Sequence, residues 1–275
     1  MSLRIEREDR VLHITLNRPE KRNALTAGMC AQLVKTMDEV QDDPSIGSIL
    51  VDAEGAVFSA GMDLEEAANS SNIHRLATHE RLFTYGAASK KPIVVCVKGP
   101  ALGGGMGLAV QGHVVVAAQG ALFGLTEIRV GLWPFLVYRC IEAAIGARRA
   151  MELSLTGRAI ATNDALNWGI VQQVTPQFEA DDRAAAVARD LAWSSPVAIA
   201  AGLEYVRGAR GENWSKQGEL AVAQRAKVLQ GADFKEGVRA FKEHRAPRWP
   251  SMPEGAYDTV AEPAQKPEPE PGAAK

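Results

Sequence analysis

Two short loops carry the residue types that could hold a polar group under chemical strain. The first, Gly99-Pro100-Ala101-Leu102-Gly103-Gly104-Gly105-Met106-Gly107-Leu108, runs from an apolar strand-like stretch into an apolar helix-like one. The second, Phe58-Ser59-Ala60-Gly61-Met62-Asp63-Leu64, is a tight turn that also opens a helix. Backbone N–H groups at a helix start have no partner within the helix. Two such loops after neighbouring strands could each aim one N–H at a single oxygen and stabilise negative charge developing there. The glycine-rich loop alone is open to other readings, such as close packing or a phosphate cradle. It has no Gly-Lys-Ser/Thr run and no dinucleotide fingerprint. Asp63 reads as an acidic residue favoured at a helix start. The five histidines (His13, His74, His79, His113, His244) share no metal-ligand spacing. Cys30, Cys96 and Cys140 lie far apart in apolar surroundings, so neither a disulfide frame nor a zinc site is expected, and no metal.

These loops need a rigid frame, and the patterning supplies one. The chain has 275 residues, 46% hydrophobic and 23% charged, with net charge −2. That is ordinary globular usage, with no basic footprint for nucleic acid or a membrane surface. No apolar run approaches the roughly 20 residues of a membrane span. The segment Met1–Glu6 lacks the apolar region of a signal peptide, so a cytoplasmic location is the expectation. Strand-like runs around Glu8-Asp9-Arg10 predict an N-terminal hairpin. Thr26 predicts a helix cap ahead of Met29, Leu33, Met37 and Val40. Ile49-Leu50-Val51, Pro92–Val97 and His113–Ala117 read as buried strands. Strand and helix alternate, which predicts an α/β architecture with largely parallel strands. From about Glu179 only helices follow, and after Trp249 the chain turns to Pro, Glu, Ala and Lys. The expected organisation is a core over 1–178, a helical section over 179–248, and a Pro-rich disordered tail over 249–275.

Several motifs then occur together in one order. They are Leu16-Asn17-Arg18-Pro19-Glu20-Lys21-Arg22-Asn23-Ala24-Leu25, the Phe58–Leu64 loop, and Ala101-Leu102-Gly103-Gly104-Gly105. Phe123-Gly124-Leu125-Thr126-Glu127, Leu155-Thr156-Gly157-Arg158 and Ala165-Leu166-Asn167-Trp168-Gly169-Ile170-Val171 add to them. Over about residues 3–245 the chain resembles the crotonase superfamily, the enoyl-CoA hydratase/isomerase group. The resemblance implies a crotonase-like spiral of repeated ββα units with a helical C-terminal trimerisation section. It implies an acyl-CoA thioester substrate from fatty acid metabolism, no separate cofactor (CoA is part of the substrate), and a homotrimer or a hexamer made of two trimers.

Position by position, the resemblance implies that the Met62 and Gly104 N–H groups form an oxyanion hole for a thioester enolate. Lys21, Arg22, Ala24, Ala60, Asp63, Leu64 and Gly103 then fall along the acyl-CoA. Phe241, Lys242 and Arg245 lie where the last helix can approach CoA. Typical hydratases carry two glutamates. One matches Glu127, set among Phe123, Leu125, Ile128 and Val130, where burial would raise its pKa and suit proton transfer. The other position holds Gly107, which can neither hold nor activate water. A single carboxylate suits double-bond isomerisation, and the bulky run around Trp133 and Phe135, expected to narrow the acyl pocket, is similar to that of some enoyl-CoA isomerases. Isomerisation is therefore favoured. Hydration despite the missing glutamate, or a non-catalytic acyl-CoA-binding member, are the alternatives.

Overall fold

The structure, a computed structural model, describes residues 2–68 and 74–258. It divides into two compact units, Met1–Trp193 and Ser194–Lys275.

The first unit begins with the expected hairpin of β1 (Leu3–Glu8) and β2 (Val11–Leu16). Asp9 and Arg10 both take positive φ, 44° and 66°. That backbone twist suits a two-residue hairpin turn. Helix α1 (Ala27–Glu39) starts where Thr26 Oγ1 accepts the Met29 N–H at 3.1 Å. It turns Met29, Leu33 and Met37 inward. Strand β3 (Ser48–Ala53) is buried along its whole length. Short helices α2 (Leu64–Ala68), α3 (His74–Leu82) and α4 (Tyr85–Ala88) follow. A break at Phe83 and Thr84 separates α3 from α4.

Strands β4 (Ile93–Val97), β5 (Ala101–Leu102), β6 (Val114–Ala118), β7 (Leu122–Gly124), β8 (Ala159–Ala161) and β9 (Gln173–Thr175) alternate with α5 (Gly104–Ala109), α6 (Phe135–Ile145), α7 (Ala147–Thr156) and α8 (Thr162–Trp168). They build a six-stranded sheet, β1-β2-β3-β4-β6-β9, and a three-stranded one, β5-β7-β8. From β2 onward the large sheet is parallel, with β1 as its antiparallel edge.

Helix α9 (Ala180–Ala192) closes one face of that sheet. Its Ala180, Ala184, Ala188 and Ala192 recur every four residues and form one stripe. They pack against Val11, Leu50, Val94, Cys96 and Val116. The core therefore ends at Trp193, not at the expected residue 178, because the sheet needs α9 as cover.

Toward its strand ends the same face becomes polar, and His13 Nε2 stands 3.0 Å from Asp52 Oδ2. The adjacent carboxylate raises the His13 pKa. A raised folded-state pKa gives stability that is complete below the unfolded value, about 6.5, and is lost as pH climbs through the folded value. The melting-temperature advantage of the wild type over His13→Gln is thus expected to shrink between pH 6 and pH 8.5. An advantage that grows with pH would reverse this assignment.

The second unit contains α10 (Pro196–Ala209), α11 (Trp214–Gln230) and α12 (Ala232–Lys242). Buried Asp233 accepts hydrogen bonds from Ser195 Oγ at 2.6 Å and from Ser251 N and Oγ at 3.0 and 2.5 Å. Buried Glu236 accepts from Arg245 at 2.7 Å and from the Arg248 N–H at 2.9 Å, and it also pairs with Arg239. The Trp249 N–H donates to Tyr257 Oη at 2.7 Å, and Met252 is buried. The disordered tail expected from residue 249 is therefore wrong over 249–258, which those two carboxylates and Tyr257 anchor. The rest of that segment, 259–275, lies outside the described residues.

Candidate active site

The two loops meet because the small sheet forces them together. β5 and β7 run parallel, with Ala101 opposite Phe123 and Leu102 opposite Gly124. Whatever follows each strand must emerge side by side. Gly103-Gly104 follows β5, and Thr126-Glu127 follows β7 after one intervening residue, Leu125. The Gly103 N–H donates to the Gly124 carbonyl at 2.8 Å, which extends the pairing to the loop. On the other side Ser59 bridges to Ala101, and Leu25 bridges to Met62.

The close approach of these segments requires glycine at two points. Gly61 has φ +93°, and a Cβ there would stand 2.8 Å from the Leu102 carbonyl oxygen and 3.2 Å from the Gly104 nitrogen. Gly103 has φ +53° and ψ −123°, a region almost closed to side chains. A Cβ on it would stand 2.9 Å from Glu127 Oε1 and 3.5 Å from Oε2, so the carboxylate lies directly over the Gly103 backbone.

The amides of Met62 and Gly104 are neighbours. A Cβ built on Gly104 would stand 3.6 Å from the Met62 nitrogen. Among the described residues neither N–H donates to a backbone or side-chain acceptor. Glu127 Oε2 is shut off from solvent and has no hydrogen-bond partner. Desolvation raises the Glu127 pKa. Two unpaired donors thus share one small region with a carboxyl group whose pKa burial raises.

Gly107 is not an empty position. A Cβ there would lie 2.9 Å from Val137 Cγ1 and 3.0 and 3.1 Å from Phe83 Cδ1 and Cε1. Phe83, in the break between α3 and α4, is buried and also reaches Gly104, whose Cβ would lie 3.3 Å from its Cζ. Sequence reasoning missed both side chains. Their signal was only that of apolar helix residues, and their meeting over Gly107 is a tertiary fact.

Other expected residues are placed differently. Phe135 is 71% exposed and does not narrow a pocket. Helix α6 turns Val137, Ile141 and Ile145 inward, and its period carries Phe135 to the opposite side. Trp133 is half-buried, 6.1 Å from the Tyr138 ring. Asp63 is not a free ligand, since its carboxylate pairs with Arg18 at 3.2 Å and accepts the Glu66 N–H at 3.2 Å. Lys21 forms an exposed pair with Glu65 at 3.2 Å. Arg22 is exposed at φ +52°, and its carbonyl accepts the Ala60 N–H at 2.9 Å. The Ala24 carbonyl accepts from Arg18, and Leu64 is 51% exposed. Arg245 is engaged inside the helical unit by Glu236 and Glu243.

The loop that carries Lys21 to Ala24 is held by Asn23, another residue the sequence left unremarked. Its Nδ2 donates to the Glu54 and Val57 carbonyls, each at 2.8 Å, and its Oδ1 accepts the Arg18 N–H at 2.7 Å. All its side-chain bonding capacity except one acceptor site is used. Among the described residues no cluster of three metal-ligating side chains occurs, and no helix is long and apolar enough to cross a membrane.

Residues 6–252 match the family model described as enoyl-CoA hydratase/isomerase. The chain is 34% identical over 248 residues to the 2,3-dehydroadipyl-CoA hydratase of Escherichia coli, covering 88% of this chain and 96% of that one. The crystal structure of enoyl-CoA hydratase from Mycobacterium tuberculosis matches with TM-score 0.82 and 31% identity, over 91% of this chain and 99% of that one. The Mycobacterium smegmatis enoyl-CoA hydratase structure matches with TM-score 0.86 and 26% identity, over 90% of this chain and 99% of that one.

Proposed function

Because the chain belongs to the enoyl-CoA hydratase/isomerase family and has the crotonase fold, we propose that this acyl-CoA enzyme moves a double bond along an enoyl-CoA with one carboxylate. The observation that carries the reading is the filled space at Gly107. Phe83 and Val137 crowd the point where a second glutamate's side chain would begin, while Glu127 keeps a raised pKa beside two unpaired amides.

The chemistry follows from those groups. The thioester oxygen of a 3-enoyl-CoA accepts hydrogen bonds from the Met62 and Gly104 N–H groups. Glu127 takes a proton from C2, and the electron pair moves toward that oxygen as a dienolate forms. The same carboxyl returns the proton to C4, the double bond settles between C2 and C3, and Glu127 is a carboxylate again. Two fixed donors favour the enolate over the ground-state carbonyl, and removal of one such donor in other enzymes costs about 10²–10³-fold in rate. A pKa raised toward neutrality lets one group act well as base and then as acid. The CoA moiety arrives with the substrate, so the step calls for no separate cofactor. Exposed Trp214, Val222 and Phe241 support a homotrimer through the helical unit.

A second reading, hydration, is favoured by the relatives named as hydratases. The two separate cleanly. Purified protein is incubated with 3-enoyl-CoA and 2-enoyl-CoA esters, and products are read by mass and ultraviolet absorbance. Isomerisation converts the 3-enoyl ester to a conjugated one of unchanged mass. Products that gain only the mass of one water, with no conjugation of the 3-enoyl ester, would overturn the proposal.

A further inference from the structure

We infer that Arg18 is a positioning residue that holds the Met62 amide toward the substrate oxygen and cancels the charge of Asp63 beside it. The inference rests on the oxyanion reading above. Met62 has no hydrogen bond of its own through N–H, and its orientation is imposed by its neighbours. The Leu25 N–H donates to the Gly61 carbonyl at 2.7 Å, and the Asp63 N–H donates to the Leu25 carbonyl at 3.0 Å. These two bonds bracket Met62 and leave its N–H facing away from Leu25.

The bracket is closed by one guanidinium. Arg18 Nη1 donates to the Ala24 carbonyl at 2.8 Å and to Asp63 Oδ2 at 3.2 Å. Ala24 precedes Leu25 and Asp63 follows Met62, so Arg18 ties the two segments immediately next to the bridge. Both side chains are largely buried, 20% and 12% exposed, where solvent screens the pair less than at the surface. The Arg18 N–H is itself fixed on Asn23 Oδ1 at 2.7 Å. Without the guanidinium, the Ala24 carbonyl would lose its Arg18 partner and the Asp63 carboxylate would keep only the Glu66 N–H. Asp63 would also leave a full negative charge one residue from the amide that must receive an enolate.

A structural brace and this electrostatic role have different consequences. The test uses the full-length protein and a conjugated aryl-enoyl-CoA, whose absorbance moves to longer wavelength when its carbonyl is polarised. The wild type is expected to give that red shift on binding. Arg18→Met is expected to lose more than half of it and about 10–100-fold in kcat, with KM changed less than about 3-fold, since one misdirected donor weakens the transition state more than binding. Adding Asp63→Asn to Arg18→Met is expected to recover part of both losses, because the stranded charge goes. A brace alone predicts that the double variant is no better than the single. Arg18→Lys keeps the charge and is expected to fall between wild type and Arg18→Met. It stands as the test if Arg18→Met does not fold, and wild-type values for it would overturn the inference. Full red shift and kcat in Arg18→Met would overturn it while leaving the oxyanion reading intact. A wild type without any red shift would remove the oxyanion reading and the inference together. Either outcome is independent of whether the product is an isomer or a hydrate.

Discussion

Glu127→Gln is expected to abolish turnover while acyl-CoA still binds. The amide keeps the size and hydrogen-bonding capacity of the carboxyl but cannot exchange a proton near neutral pH. Positioned general acid–base groups contribute about 10²–10⁴-fold, and here one group carries both transfers, so the loss is expected at the upper end or beyond. The same variant has a stability signature with a defined sign. Burial raises the Glu127 pKa, and Oε2 has no partner in its enclosed position. A carboxyl with a raised folded-state pKa contributes stability below its unfolded value, about 4.3, and loses it as pH rises through the folded value. Above that point the protein bears the cost of a buried, unpaired charge that the neutral amide lacks. Relative to wild type, Glu127→Gln is therefore expected to gain melting temperature between pH 4 and pH 8 as it loses activity. Single-turnover assays and thermal melts across that range check both. An active Glu127→Gln enzyme would refute the single-base mechanism.

Much of the frame that presents Glu127 was legible in the residues themselves. The all-apolar run Ile93–Val97 had to be a strand buried on both faces, and it lies near the middle of the parallel sheet. Thr26 announced α1, and the two glycine-containing loops announced close backbone approach. Legibility failed where tertiary packing decided. Phe135 reads as a pocket residue until the register of α6 is known, because Pro134 sets where that helix starts. The helix at 180–192 reads as part of the helical end, yet its alanine stripe is the cover of the sheet. Trp249 to Asp258 reads as tail by composition, but Asp233, Glu236 and Tyr257 fasten it through contacts eight to eighteen residues apart. Nothing in the sequence sets Asn23 and Arg18 apart from the rest of their polar loop. Only the positive φ values at Arg22 and Asn23 turn that loop inward onto residues 54–63.

The filled space at Gly107 leads to the second large effect. Gly107→Glu restores the second carboxylate in sequence, and hydration would follow if the site had room. The neighbours of Gly107 are Val137, a β-branched residue stiff about χ1, and the buried Phe83 ring. The new side chain would begin within 2.9 Å of Val137 Cγ1, before its carboxylate is placed at all. Overpacking of this kind costs about 1–3 kcal/mol, and a charge buried without a partner adds to that. The melting temperature of Gly107→Glu is therefore expected to fall by several degrees, at roughly 2–4 °C per kcal/mol for a domain of about this size. No hydrated product is expected from it. Combining Gly107→Glu with Phe83→Ala removes the ring from the space the carboxylate needs. Phe83→Ala alone leaves a cavity and costs about 3–5 kcal/mol. The two changes share one space, so the double variant is expected to be more stable than the sum of the singles predicts. With a second carboxylate and space beside it for water, it is also the variant expected to form 3-hydroxyacyl-CoA from a 2-enoyl ester. Hydration by Gly107→Glu alone would show that Phe83 and Val137 yield, and that the chemistry is set by the missing carboxylate and not by the side chains packed into its place.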